Sequence, residues 1–243
     1  MASMTPAQDP AAALAIDEPL AATLDRWRKE SAALDRAGVY DWLTARIAAD
    51  RVLEIGCGFG LSTAALTRGG KQVFALDNRL DCLEATQALV PGVTLGMADV
   101  THYDNRLIAD LEAFEPRAVV CWLAGAPAEA LPRDVPSAYA VMQHRLQLQH
   151  AVVRLASRLD TVQTVHLADR TAFPWKMTAV GRKTMSGMIV AAVIADAPFE
   201  LNEVDVQFRK IDGIDLAGKQ GTALAGVVPV VGEATLKRRH NVT

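Results

Sequence analysis

From Arg51 onward the chain alternates two hydrophobic patterns. Short runs dominated by apolar residues, RVLEI (51–55), QVFAL (72–76), VTLGM (93–97), AVVCWL (118–123) and TVQTVHL (161–167), predict largely buried strands. Between them, segments near 61–68, 79–89, 104–112 and 136–158 place apolar residues three or four apart and predict helices. The last of these is the longest, and its apolar stripe suits either a homodimer interface or a crossover helix buried beneath an N-terminal cap. Strand and helix in this cadence imply right-handed crossovers and a parallel sheet covered on both faces.

The C-terminal third breaks the cadence. MIVAAVIAD (188–196) and ELNEVDVQFRKI (200–211) read as two strands joined by a turn at Ala197-Pro198, too short for a crossover and therefore an antiparallel pair. Upstream, Leu24, Trp27, Leu34, Tyr40, Leu43 and Ile47 recur at helical spacing, and Gly38 divides that stretch into two helices. The organisation expected is a flexible arm over 1–19, a helical N-terminal cap over 20–50 and one α/β domain over 51–243.

Composition narrows the class. With 243 residues, 51% of them hydrophobic and 22% charged, the chain is long enough for a sizeable core without disulfides or metal staples. Cys57, Cys82 and Cys121 are far apart and belong to no CxxC or Cys/His cluster, which points to no disulfide framework or zinc site and fits a reducing cytoplasm. The first twenty residues carry acids and prolines where a signal peptide needs basic residues and an apolar run. No uninterrupted apolar stretch approaches the roughly 18–20 residues that span a bilayer. A cytoplasmic protein with no membrane partner is expected. A net charge of −3 weighs against a protein that coats nucleic acid, and KRRH (237–240) reads as a solvated basic tail, with a phosphate-contacting tail as the alternative.

The most informative stretch is VLEIGCGFG, residues 52–60. Glycines directly after a strand let a ligand approach the backbone and lead into a helix N-terminus. The dinucleotide pattern GxGxxG fits at Gly56 and Gly58, but Leu61 stands where its third glycine belongs and Gly60 comes one residue early. That mismatch, with the lack of a Tyr-x-x-x-Lys pair, disfavours a nicotinamide enzyme. Three acids occupy strand positions facing the same crevice: Glu54 inside the first strand, Asp77 ending the second and Asp99 ending the third. A carboxylate at the position of Asp77 can accept two ribose hydroxyls, and one at Asp99 can accept an adenine amino group.

On these motifs the chain resembles a class I S-adenosylmethionine-dependent methyltransferase over roughly residues 40–210. The resemblance implies a Rossmann-like seven-stranded sheet, mostly parallel, with helices on both faces and a C-terminal antiparallel hairpin. It implies S-adenosylmethionine as cofactor, held by Glu54, Gly56, Cys57, Gly58 and Gly60, by Asp77 and Asn78, by Ala98, Asp99 and Val100, and by Trp122. Methyl transfer is an in-line displacement dominated by proximity, so no catalytic residue is required. The tip after the fourth strand, WLAGAP (122–127), lacks the acid or amide followed by Pro-Pro and an aromatic that accepts a base amine. A small-molecule acceptor is therefore preferred, with an RNA, DNA or protein acceptor and a non-catalytic cofactor-binding module as alternatives.

Further candidates have plain structural readings. His102, Tyr103 and Asp104 line an acceptor pocket or form a loop and helix cap. His166 is a core histidine, and Asp169 with Arg170 at the tip of the fifth strand face substrate or cap a helix. Asp169 is the lone acid suitably placed for a metal-assisted mechanism. Phe173, Pro174 and Trp175 form a lid or pack the core, and Cys57 is a small residue chosen for fit.

Overall fold

The computed structural model describes residues 19–125, 131, 137–211, 213 and 226–239. The expected arm lies outside these residues except for Pro19, as do Ala126 and Pro127 of the WLAGAP tip. Strands β1 (Arg51–Ile55), β2 (Gln72–Asp77), β3 (Thr94–Met97), β4 (Ala118–Trp122) and β5 (Thr164–Pro174) pair in parallel in the order β3-β2-β1-β4-β5. Helices α3 (Leu61–Arg68), α4 (Leu80–Leu89), α5 (Asn105–Phe114) and α6 (Ser137–Ser157) carry the chain between consecutive strands. Asp104 is the N-cap of α5, its carboxylate accepting the Leu107 N–H at 2.9 Å.

The alternation of side chains along each strand builds two apolar layers. Leu53, Ile55, Leu76, Val119 and Val165 face α5 and α6, while Val52, Val73, Ala75, Ala118 and Val120 face the opposite side. On that second side α3 is joined by α1 (Leu20–Arg36) and α2 (Val39–Thr44), separated by Gly38 at φ +68°. The two helices and the break at Gly38 are found as expected, but the second ends at Thr44, short of the expected Ala49. The inner stripe of α6 packs on β4 and β5 through Val152, Val153 and Ala156.

Beyond β5 the fold departs from the segment-level expectation. Residues 188–192 are not a strand; they end helix α7 (Thr178–Ala192). Met185, Ile189 and Val193 turn toward the core and Met188 and Val190 toward solvent, a helical spacing inside a run that looks strand-like because it is apolar throughout. The antiparallel partner of β5 is β8 (Val227–Arg238), which runs beside it from Pro174 to Thr164. On its far side β8 pairs with β6 (Phe199–Glu200) and β7 (Val206–Lys210), two pieces of one edge strand interrupted by a 3₁₀ turn at Glu203–Asp205. Eight strand segments thus fill the seven positions expected, in the order β3-β2-β1-β4-β5-β8-β6. Pro229 and Gly232 break the apolar pattern of β8. Gly232 lies beneath Phe208, where an added Cβ would stand 2.8 Å from the ring.

The basic end of the chain is a second correction. Lys237 and Arg238 belong to β8, and the Arg238 guanidinium donates to the carbonyls of Val162, Ala156 and Leu159 at 2.6, 3.0 and 2.8 Å. Arg239 donates to the carbonyls of Phe199 and Ala197. These cations satisfy helix and strand ends that a free tail would leave to water. β8 also carries Glu233, fully buried, which accepts the Thr235 hydroxyl at 2.7 Å and stands 2.9 Å from His166 Nδ1. Its other oxygen takes the Arg46 guanidinium. His166 is the partnered core histidine expected. Phe173 stacks with Trp175 and meets Phe208 edge-on at 4.7 Å, so this aromatic group packs β5 against β7 and forms no lid. Among the described residues no helix is long and apolar enough to cross a membrane.

One glycine position tests this packing directly. Gly60 has φ +82°, and an added Cβ would stand 2.8 Å from Thr86 Cα, a backbone atom that cannot move aside. Gly60→Ala is expected to destabilise the fold by about 2–4 kcal/mol in denaturant unfolding, combining left-handed strain with overpacking. Gly58→Ala, with no described atom within 4 Å of its Cβ, is expected to cost about 1–2 kcal/mol from backbone strain alone. Equal losses at both positions would refute the packing role of Gly60.

Candidate functional site

The chain leaves β1 through residues that few side chains tolerate. Gly56, Gly58 and Gly60 all have positive φ, at 77°, 52° and 82°. The Gly56 and Cys57 N–H groups donate to the Leu76 carbonyl at 2.8 and 3.1 Å, anchoring the turn on β2. Asp77, at the end of β2, completes the anchor. Its Oδ2 accepts the Gly58 N–H at 2.9 Å and its Oδ1 the Arg79 N–H at 3.0 Å. Each carboxylate oxygen keeps further acceptor capacity. Burial raises the Asp77 carboxyl above its usual range, and the N–H donors of Gly58 and Arg79 oppose that rise.

Above this turn lies a cavity of about 380 Å³, within the range of small-molecule sites. Of the residues singled out by sequence, Gly56, Cys57, Gly58, Asp77, Asn78, Ala98, Val100 and Trp122 line it. Glu54, Gly60 and Asp99 are not in its wall. Glu54 is buried under α3 and accepts the Thr63 hydroxyl at 2.6 Å. Gly60 packs on α4, as described above. Asp99 is exposed, its carboxylate closing a turn on the N–H and hydroxyl of Thr101 at 2.8 and 2.6 Å. His102 is exposed and Tyr103 packs at the edge of the core, so neither reaches the cavity. Cys57 is buried, and burial pushes its thiol well above the usual range, which suits a residue chosen for size.

The cavity also gathers residues that sequence reasoning passed over. Trp27, Glu30 and Ser31 come from α1, Tyr40 from α2, and His144, Arg145 and Leu148 from α6. Asp169 and Arg170 join them. They lie within β5, which continues to Pro174, but beyond the end of β4, so they face the crevice and cap no helix. Glu30 Oε2 meets Arg170 Nη2 at 3.1 Å, and Arg145 Nε stands 3.5 Å from Asp169 Oδ1. Gln149 Nε2 donates to Asp169 Oδ2 at 2.8 Å. The indole of Trp27 lies against Gly125, where an added Cβ would be 2.6 Å from the ring. A signal for these residues was present: Glu30 sits in register with Trp27 and Leu34, and His144 and Arg145 continue the inner stripe of Leu148 and Val152. Polar groups on an apolar stripe mark a wall rather than a core.

Two wall groups have chemistry shaped by burial. The His144 imidazole is held below its ordinary value by desolvation and then by Arg145, so it stays neutral and able to take a proton. Trp122 Nε1 is buried with no hydrogen-bond partner among the described residues, an arrangement that costs about 1–3 kcal/mol unless a ligand supplies an acceptor. Among the described residues no group of three or more His, Cys, Asp or Glu is placed to hold a metal ion.

The strand order decides the architecture. Five parallel strands in the order 3-2-1-4-5 are followed by an antiparallel strand inserted between the fifth and the edge, and the glycine turn and the acid of β2 meet at the carboxyl ends. The chain has the class I methyltransferase fold. Solved structures similar to it include the methyltransferase domain of bacterial CtHen1-CN, at 18% identity, 83% of this chain, 98% of that chain and a TM-score of 0.46. PH1948 from Pyrococcus horikoshii, a proposed RNA methyltransferase, is 14% identical over 84% of each chain, with a TM-score of 0.47. A structure concerned with conversion of a disulfide bond into a thioacetal group during echinomycin biosynthesis is 14% identical over 87% of this chain and 82% of that chain, with a TM-score of 0.47. The fold assignment rests on the strand order and not on these likenesses. No protein-family model and no curated protein matches the sequence.

Within this methyltransferase fold Glu54 is the titrating group beneath the glycine turn. Burial raises its carboxyl to about 7, opposed by hydrogen bonds from Ser62 and Thr63 and reinforced by the charge of Asp77. The folded value lies above the ordinary 4.5, so the associated stability is fully present below about pH 4.5 and lost as pH rises through about 7. Glu54→Gln keeps an acceptor for Thr63 and removes the titration. Between about pH 4.5 and pH 8.5, the wild type is expected to lose on the order of 3 kcal/mol more stability than this variant in parallel urea titrations. Superimposable pH profiles would refute a raised carboxyl at this position.

Proposed function

We propose that the cavity binds S-adenosylmethionine and that the protein transfers its methyl group to a small-molecule acceptor. The observation that carries this reading is the meeting of Asp77, the bare glycine turn and Trp122 around one cavity. Asp77 retains acceptor capacity for the ribose hydroxyls, the turn at Gly56 and Gly58 leaves room for a ligand against the backbone, and Trp122 Nε1 is a buried donor without a partner. Ala98 and Val100 supply apolar wall on the β3 side, where an adenine ring would rest. When bound, S-adenosylmethionine supplies a methyl group on a sulfonium, which is already a good leaving group.

The protein's contribution is then to orient and to exclude water. Helix α1 supplies one wall, held by the Trp27–Gly125 contact and the Glu30–Arg170 ion pair, and a cavity of this size suits a small acceptor. The neutral His144 imidazole is the wall group suited to receive a proton from an acceptor O–H or N–H.

Calorimetric titration with S-adenosylhomocysteine tests the cofactor, with NAD in a parallel cell. The homocysteine compound is expected to bind, Asp77→Ala to weaken it by on the order of tenfold or more, and Asp77→Asn, which keeps one acceptor oxygen, to fall between. Saturation by NAD with no response to S-adenosylhomocysteine would overturn the proposal.

A further inference from the structure

The charged groups of the cavity are unevenly satisfied. On the acidic side, Asp169 Oδ2 accepts from Gln149 at 2.8 Å and its Oδ1 faces Arg145. Glu30 commits Oε1 to Arg26 at 3.4 Å and Oε2 to Arg170 at 3.1 Å. Each oxygen of these two carboxylates thus has a partner. Of the three arginines among the described wall residues, Arg79 is held by both oxygens of Asp81, whereas Arg145 and Arg170 are less fully engaged. Each guanidinium has five N–H donors in a planar fork, suited to two oxygens at about 2.7–2.9 Å. Arg170 makes one contact of its guanidinium, to Glu30. Arg145 makes two long ones, at 3.5 Å to Asp169 and 3.4 Å to the Arg170 carbonyl. Both guanidinium groups keep N–H donors without a partner among the described residues, and the Arg145 side chain reaches the Arg170 carbonyl at 3.4 Å, which brings it to the strand that carries the second arginine.

We infer that Arg145 and Arg170 form an anion site in the cavity and that the acceptor is a small carboxylic acid held through its carboxylate. A planar two-oxygen anion matches the open donors of the guanidinium fork. Trp27 and Leu148 stand in the same wall and suit an apolar body attached to the carboxylate. The cavity has about 380 Å³ in all, part of it taken by the cofactor, so the acid is small. Assigning this site to the acceptor rests on the methyl-transfer reading above; the anion site itself rests on the arginines.

The test uses benzoate and its uncharged isostere benzamide as probes, titrated calorimetrically into the full chain with and without saturating S-adenosylhomocysteine. Benzoate is expected to bind at least about tenfold tighter than benzamide, the margin of a charge-assisted bidentate contact. Arg145→Gln and Arg170→Gln are each expected to erase that preference, with Arg170→Lys retaining part of it. Affinity for S-adenosylhomocysteine is expected to stay within about threefold of wild type in Arg145→Gln, a margin well below the loss of one such contact, and thermal unfolding reports that all the variants are folded. If S-adenosylhomocysteine binds but benzoate is no tighter than benzamide, or the preference survives both glutamine variants, the anion site is refuted and the cofactor reading stands. If benzoate shows the arginine-dependent preference while S-adenosylhomocysteine does not bind, the anion site stands and the methyl-transfer reading falls.

Discussion

The carboxylate of Asp77 is the contact on which the crevice depends. By accepting the N–H groups of Gly58 and Arg79 it joins the turn after β1 to the turn after β2. Two loops that would otherwise be free to move independently are held as one surface. That junction is possible because the turn is bare: with side chains at Gly56 or Gly58 the backbone would be forced into a conformation costly to L-residues. Local conformational freedom is spent to bring a main-chain N–H to a side chain, and the result is a rigid floor with acceptor capacity left over. The same economy appears one layer down, where Glu54 takes the Thr63 hydroxyl and seats the first turn of α3 beneath the loop.

The remaining walls come from elements distant in sequence. Helix α1 is fastened at two chemically different points, an indole lying on a glycine and an ion pair between Glu30 and Arg170. Helix α6 contributes the neutral imidazole and the second guanidinium on one stripe that continues inward as apolar packing. The cavity thus has one side built from backbone turns and another built from side chains on helices. In such an arrangement the backbone side suits a common ligand and the side-chain side suits discrimination.

What was legible in the sequence follows this division. The parallel strands and the glycine turn could be placed because each is demanded locally, the strands by burial on both faces and the turn by positive φ at Gly56, Gly58 and Gly60. Misreadings occurred where one local pattern fits two structures. The run at 188–192 is apolar throughout and was resolved as helix by which of Ile189, Val190 and Val193 the core received. Strand β8 is disguised by Pro229 and Gly232, whose reasons lie in the ladder to β5 and the ring of Phe208. Asp99 and Glu54, acids at suggestive positions, lie outside the cavity wall and hydrogen-bond near neighbours, Thr101 and Thr63. The convergence of Glu30, Arg145 and Arg170 depends on how helices seat on the sheet, which no window of sequence contains.

The placement of β8 reaches beyond the native state into how that state is attained. Arg46 and Glu233, which meet in the buried cluster with His166, are 187 residues apart. Every residue of β5 from Thr164 to Pro174 is paired by β8. During synthesis the parallel half of the sheet can assemble early, but β5 then presents an open edge until residues 227–238 have emerged. Such long-range closure slows folding and leaves a sticky edge exposed in the interval. The strand that completes the sheet therefore also sets the period in which the nascent protein is most vulnerable to pairing with the wrong partner.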